Sequence, residues 1–139
     1  MGDCYNEIEI NSPITEVWKT ISNFHDMSWA GNVIINVSKV GDKEGTQIGA
    51  RRVLNGIIYE TLNNFDPDEF TFSYSIDQGE GPISSFVSNY NVVVNLTSIE
   101  GGTLVEWRSS FESENDNDTT GFLNPIYTSM LKALKKTLS

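Results

Sequence analysis

The residue with the most chemical promise is Glu60. At the two-residue period of a strand, Ile58, Glu60 and Leu62 share one face, and the two apolar members claim that face for the core. An ionised carboxylate there is costly, so Glu60 must either hold a proton or keep a cation beside it. Asn55-Gly56, set between Leu54 and Ile57, signals a hairpin that brings an arginine into reach. A two-residue turn sets Arg51 opposite Glu60, whereas a bulged three-residue turn sets Arg52 there, and the turn sequence leaves both open. Such an Arg–Glu pair can orient the polar end of a ligand, with Glu60 as the one possible catalytic residue, a general acid or base. The same pair also serves as a plain structural ion pair.

Tyr74, Tyr90 and Trp107 fall on strand faces shared with Phe72, Val92 and Val105, which turns them inward. Buried Tyr and Trp need partners for their O–H and N–H groups, so they either fill the core or line a cavity within it. Tyr127, Met130, Leu131 and Leu134 recur at helical spacing and would supply the facing wall, Met130 being adaptable to irregular shapes. Trp29 follows a short helical segment and stands near one mouth of that space.

Other features carry less. His25 is the single histidine and its neighbour Asp26 cannot face it from a helix, so a surface or capping role is expected. Cys4 has no cue for a lowered pKa and reads as an inert strand residue. The carboxylates from Asp66 to Glu69 and from Glu112 to Asp118 lack the spacing of a calcium loop. Gly79, Gly81 and Pro82 precede neither Lys-Ser/Thr nor a helix, which excludes a phosphate loop and leaves a rim loop that could admit ligand. No metal site and no cofactor is expected.

The elements that must position these residues are readable from periodicity. Tyr5–Asn11 is a strand; Ser12 as N-cap and Pro13 as first residue open a helix whose apolar face is Ile14, Val17, Trp18 and Ile21. A second short helix is expected over Phe24–Met27, broken by Trp29-Ala30-Gly31. Period two then holds through strands at 33–40, 47–54, 57–65, 70–76, 84–97 and 103–111. Glu112–Asp118 reads as solvated. A long C-terminal helix begins at Asn124-Pro125, or nearer Asp118 with Pro125 kinking its interior. Hairpins in series with one apolar-striped helix make an α+β domain with an antiparallel sheet.

Length and charge narrow the function. The 139 residues fit one domain spanning 1–139, and the net charge of −10 with only nine Lys and Arg argues against nucleic acid and anionic membranes. A single cysteine excludes a disulfide framework. No apolar run reaches the length of a membrane span, so a cytoplasmic protein without membrane insertion is expected.

The chain resembles the START-like (SRPBCC, Bet v 1-like) superfamily, in its polyketide cyclase/dehydrase and lipid-transport-like branch. The residues that carry the likeness are 10–18 (INSPITEVW), 24–29 (FHDMSW), 49–54 (GARRVL), 60–62 (ETL), 74–76 (YSI), Tyr90 and 105–107 (VEW). The resemblance implies a helix-grip fold: a seven-stranded curved antiparallel sheet wrapped around the long C-terminal helix, with two short helices after the first strand. It implies an apolar cavity between sheet and helix for a small hydrophobic or aromatic, lipid- or polyketide-like molecule. Family spacing from Gly49 favours Arg52 as the partner of Glu60. The implied ligand-binding set is Trp29, Arg52, Glu60, Tyr74, Tyr90, Trp107, Tyr127 and Met130. Many relatives follow the Trp29 position with His-Pro, where this chain has Ala30-Gly31, so any role of that histidine is missing. The Asn55-Gly56 connection is too short for the gate loop of the plant hormone receptors. A cyclase/dehydrase-type enzyme using the same pocket, and a ligand-free interaction module such as a homodimer joined through a sheet edge, are the alternatives.

Overall fold

Alternating sequence becomes one sheet. A computed structural model describes residues 1–77 and 87–138, and the expected rim loop with Gly79, Gly81 and Pro82 lies outside the described residues. Among the described residues the strands are β1 (Gly2–Ile10), β2 (Val37–Val40), β3 (Arg51–Leu54), β4 (Ile58–Asp66), β5 (Thr71–Ile76), β6 (Val87–Ile99) and β7 (Gly102–Ser113). They run antiparallel in the order β1-β7-β6-β5-β4-β3-β2. Each is a hairpin neighbour of the next except β1, which closes onto the last strand with Ile8 opposite Val105. The long helix α2 (Asp116–Thr137) packs on β1 and β7 through Leu123, Tyr127, Met130, Leu131 and Leu134. The core lies between that stripe and the inward faces of the strands. Burial alternates strictly along β5, where Phe72, Tyr74 and Ile76 are buried. The architecture is the expected α+β helix grip, and no helix is long and apolar enough to cross a membrane.

Two bulges set which side chains look inward. In β4 the register shifts between Leu62 and Asn64, so Leu62 and Phe65 both face the core. In β6 it shifts between Ser88 and Asn91, with Asn89 at φ 49°. The extra residue puts Val87 and Tyr90, three positions apart, on the same inner face.

Three local expectations need correction, and the start of the C-terminal helix, left open between two positions, falls at the earlier one. The helix α1 (Ile14–Ile21) is entered through Pro13, whose carbonyl accepts from Glu16 and Val17; Ser12 does not cap it, and its hydroxyl instead donates to the Leu138 carbonyl at 3.2 Å. The second short helix is a single 3-10 turn at Ser28–Ala30, so Trp29 belongs to the turn and does not end a helix over 24–27. The strands at 33–40 and 47–54 shrink to Val37–Val40 and Arg51–Leu54. The C-terminal helix starts at Asp116, capped by the Asn115 side chain accepting from the Asp118 amide at 3.1 Å. It runs through Pro125 with that residue and Gly121, whose carbonyl it cannot serve, both on the exposed face.

Candidate functional site

The β3–β4 hairpin decides the first pair. Leu54 pairs with Ile58, so the turn takes three residues, Asn55, Gly56 and Ile57, and Arg52 stands opposite Glu60. Asn55 and Gly56 both adopt positive φ, 53° and 71°. Arg51 takes the other face, where it bonds Asp77 at 3.0 Å.

Both members of the Arg52–Glu60 pair are 4% exposed. Arg52 Nε donates to Glu60 Oε1 at 2.8 Å, and Nη2 makes an ion-pair contact with the same oxygen at 2.7 Å. Arg52 Nη1 donates to the Phe24 carbonyl at 2.9 Å. The guanidinium also sits 3.8 Å from the Phe24 ring centre and 4.8 Å from that of Tyr74. Its charge is spent on the protein itself. Glu60 Oε2 accepts no hydrogen bond from any described residue, so a proton taken up by this carboxyl belongs on Oε2. Burial pushes the Glu60 carboxyl above its ordinary value, with Arg52 pulling the other way and Asp77 adding to the rise.

Glu60 lines a cavity of about 60 Å³ between sheet and helix, room for roughly four or five waters. Its other polar liners are Tyr74, Tyr90 and Tyr127; the remainder is apolar, from Met27, Ile34, Leu54, Ile58, Ile76, Leu123, Ile126 and Met130. The Tyr90 and Tyr127 hydroxyls are hydrogen bonded to each other across the cavity, joining β6 to α2. Tyr74 accepts from Trp107 Nε1 at 3.3 Å, and its own proton has no acceptor among the described residues. Burial raises all three phenols, with Glu60 contributing to each rise. They remain neutral hydroxyls at any working pH. The site therefore offers one carboxyl oxygen and three phenols in an apolar shell, and no cation among the described residues lines it.

Of the residues singled out from sequence, Glu60, Tyr74, Tyr90, Tyr127 and Met130 come together on this cavity. Arg52, Trp107 and Trp29 do not line it. Arg52 and Trp107 brace two liners, Glu60 and Tyr74, from behind. Trp29 packs on Trp107 with ring centres 5.8 Å apart, and its Nε1 has no hydrogen-bond partner among the described residues. His25 donates from Nε2 to the Arg51 carbonyl at 2.9 Å, away from Asp26, whose carboxylate caps Ser28. Cys4 is buried in β1. Among the described residues no three His, Cys, Asp or Glu side chains gather as metal ligands would. Sequence reasoning did not name the apolar liners Met27, Ile34, Leu54, Ile58, Ile76, Leu123 and Ile126 as site residues. Five of them lay on recognised apolar patterns, whereas Met27 and Ile34 sit in irregular backbone that has no period to read.

The whole chain, residues 1–139, matches the family model described as polyketide cyclase / dehydrase and lipid transport. A protein of known structure from Nitrosospira multiformis is 36% identical, with a TM-score of 0.91 over 99% of this chain and 96% of that one. The protein XoxI from Bacillus cereus is 26% identical, with a TM-score of 0.81 over 99% and 96%. Ara h 8.0201 shares the fold at 12% identity, with a TM-score of 0.77 over 98% and 96%. No curated protein matches the chain.

Proposed function

The chain belongs to the polyketide cyclase / dehydrase and lipid transport family, and from that premise we propose that it binds a small, uncharged, hydroxyl-bearing apolar or aromatic molecule in the cavity between the sheet and α2. The observation that carries this reading is the position of Arg52. It stands behind Glu60, bonded to Glu60 and to the Phe24 carbonyl, and does not line the cavity, nor does any other cation among the described residues. An anion would enter a low-dielectric space beside a carboxyl, uncompensated. A hydroxyl suits Glu60 Oε2 in both protonation states, because it can donate to the carboxylate or accept from the acid. The Tyr74 hydroxyl supplies a second contact.

The apolar walls would hold the rest of the molecule. Because the cavity is far smaller than the several hundred Å³ of a drug-sized pocket, the bound state requires movement of flexible liners, with Met27 and Met130 the most compliant. Native mass spectrometry of freshly purified protein, followed by denaturing extraction, tests the reading. A neutral phenol, alcohol or hydroxylated polyketide at near-stoichiometric amount supports it; a co-purifying fatty acid or phospholipid rejects it.

A second reading is favoured by the open Glu60 Oε2. A carboxyl with raised proton affinity and a free oxygen on the cavity has the form of a general acid or base, as a cyclase/dehydrase-type reaction would need. Turnover of a bound polyketide that vanishes in Glu60→Gln while binding persists would select this reading over simple carriage.

A further inference from the structure

A second void lies next to the cavity and is separated from it by two side chains. An open groove of about 230 Å³ is lined by His25, Asp26, Ser28 and Asn36, together with Met27 and Ile34, which also line the cavity. Met27 is 3% and Ile34 7% exposed, so this partition is a closed pair of apolar side chains with the core on one side and solvent on the other.

The backbone that carries Ile34 is poorly tied. Sheet pairing begins only at Val37, opposite Leu54. Upstream, the strap from Gly31 to Asn36 is held by Asn55. Asn55 Oδ1 accepts from the Ile35 and Asn36 amides at 2.9 and 3.3 Å, and Nδ2 donates to the Val33 carbonyl at 3.0 Å. The Asn55 amide donates to the Asn36 carbonyl at 2.8 Å. At the other end Gly31 has φ 64° and ψ −135°, a conformation reserved for glycine, and a Cβ there would come within 3.2 Å of the Ala133 Cβ. Ile35 is 77% exposed, so nothing packs over the strap from outside. A glycine pivot, one side-chain latch and one inward apolar residue make a movable unit.

We propose that the groove is the outer compartment of the binding site, and that Ile34, on a strap latched by Asn55, is the gate between groove and cavity. This rests on the ligand-binding reading above. The apolar body of the ligand passes when the strap lifts and Met27 shifts, and its outer, more polar end stays in the groove. There the His25 ring, held by its Nε2 bond to the Arg51 carbonyl, lines the groove beside Asp26, Ser28 and Asn36.

Stopped-flow binding of N-phenyl-1-naphthylamine, a neutral fluorophore with one N–H, tests the gate in wild type, Asn55→Gly, Ile34→Ala and Met130→Ala. Asn55→Gly keeps the positive φ the turn requires and removes the latch; thermal melts check that each variant is folded. The gate predicts association and dissociation both faster by about tenfold in Asn55→Gly with little change in Kd, as expected when a conformational step limits entry, and association faster by about tenfold in Ile34→Ala, which as a cavity liner is read by its association rate alone. Met130→Ala, which enlarges the cavity away from the groove, should change Kd and leave the association rate near wild type. Equal association rates in wild type and both strap variants overturn it and leave the binding reading intact. No binding in any variant removes both. If Asn55→Gly does not fold, Ile34→Ala decides alone.

Discussion

Arg52 holds Glu60 by one oxygen only: Nε and Nη2 both reach Oε1, leaving Oε2 without a partner among the described residues. The consequence is a buried pair that meets through one carboxyl oxygen and is open at the other. Its energetics and its ligand chemistry both follow from that asymmetry.

Removing one member should cost more than removing both. Arg52→Ala leaves a buried carboxyl uncompensated and should lower the unfolding free energy by about 3–5 kcal/mol in urea titrations. The double change Arg52→Met with Glu60→Leu should recover most of that loss. A single Arg52→Ala variant as stable as the double would mean that Glu60 is not buried as described.

The pH dependence has a definite sign. Burial raises the Glu60 carboxyl above its unfolded value near 4.5. A raised group binds more protons in the folded state, so its contribution is fully present below the unfolded value and is lost as pH rises through the folded one. Wild type should therefore lose stability relative to Glu60→Gln as pH climbs from about 4.5. Urea unfolding of both proteins at several pH values reads the difference, and a gap that widens in the opposite direction would show a lowered carboxyl.

The tyrosine pair across the cavity should behave as a coupled unit. Tyr127→Phe leaves the Tyr90 hydroxyl buried without its partner and should cost about 1–3 kcal/mol, whereas Tyr90→Phe with Tyr127→Phe together should cost little more than either alone. Strictly additive losses in the double-mutant cycle would show that the hydroxyls do not interact.

The bulge in β6 gives a backbone test. Asn89 sits at φ 49° and its side chain donates to Glu112 at 2.6 Å. Asn89→Ala should destabilise by about 1 kcal/mol more than Asn89→Gly, because a Cβ is unfavourable in left-handed backbone. Equal melting temperatures for the two variants would place Asn89 in ordinary extended backbone.

Much of this architecture was legible because it rests on periodicity. Ile58, Glu60 and Leu62 share a face in any strand, and the stripe from Leu123 to Leu138 has one helical solution. What escaped depends on one-residue events. The Asn-Gly signal names a turn but not its length, and one more residue exchanges Arg51 for Arg52. Pro125 looked like a helix start because sequence does not show that its face is solvated. Trp107 reads as inward from its strand face, whereas Trp29, expected near a mouth of the cavity, is buried against Trp107; whether an inward aromatic touches a cavity or backs its wall depends on packing across the sheet. Asn55 was read for its backbone alone, while its side chain secures a strap more than eighteen positions upstream.

The most direct test compares 1-naphthol with 1-naphthoate by titration calorimetry at neutral pH, two probes with the same ring system and different polar ends. The site described predicts measurable binding of the naphthol, reduced at least tenfold in Glu60→Leu, and no detectable binding of the naphthoate, since no cation among the described residues faces the cavity. Naphthoate binding as tightly as naphthol, or more tightly, would contradict it.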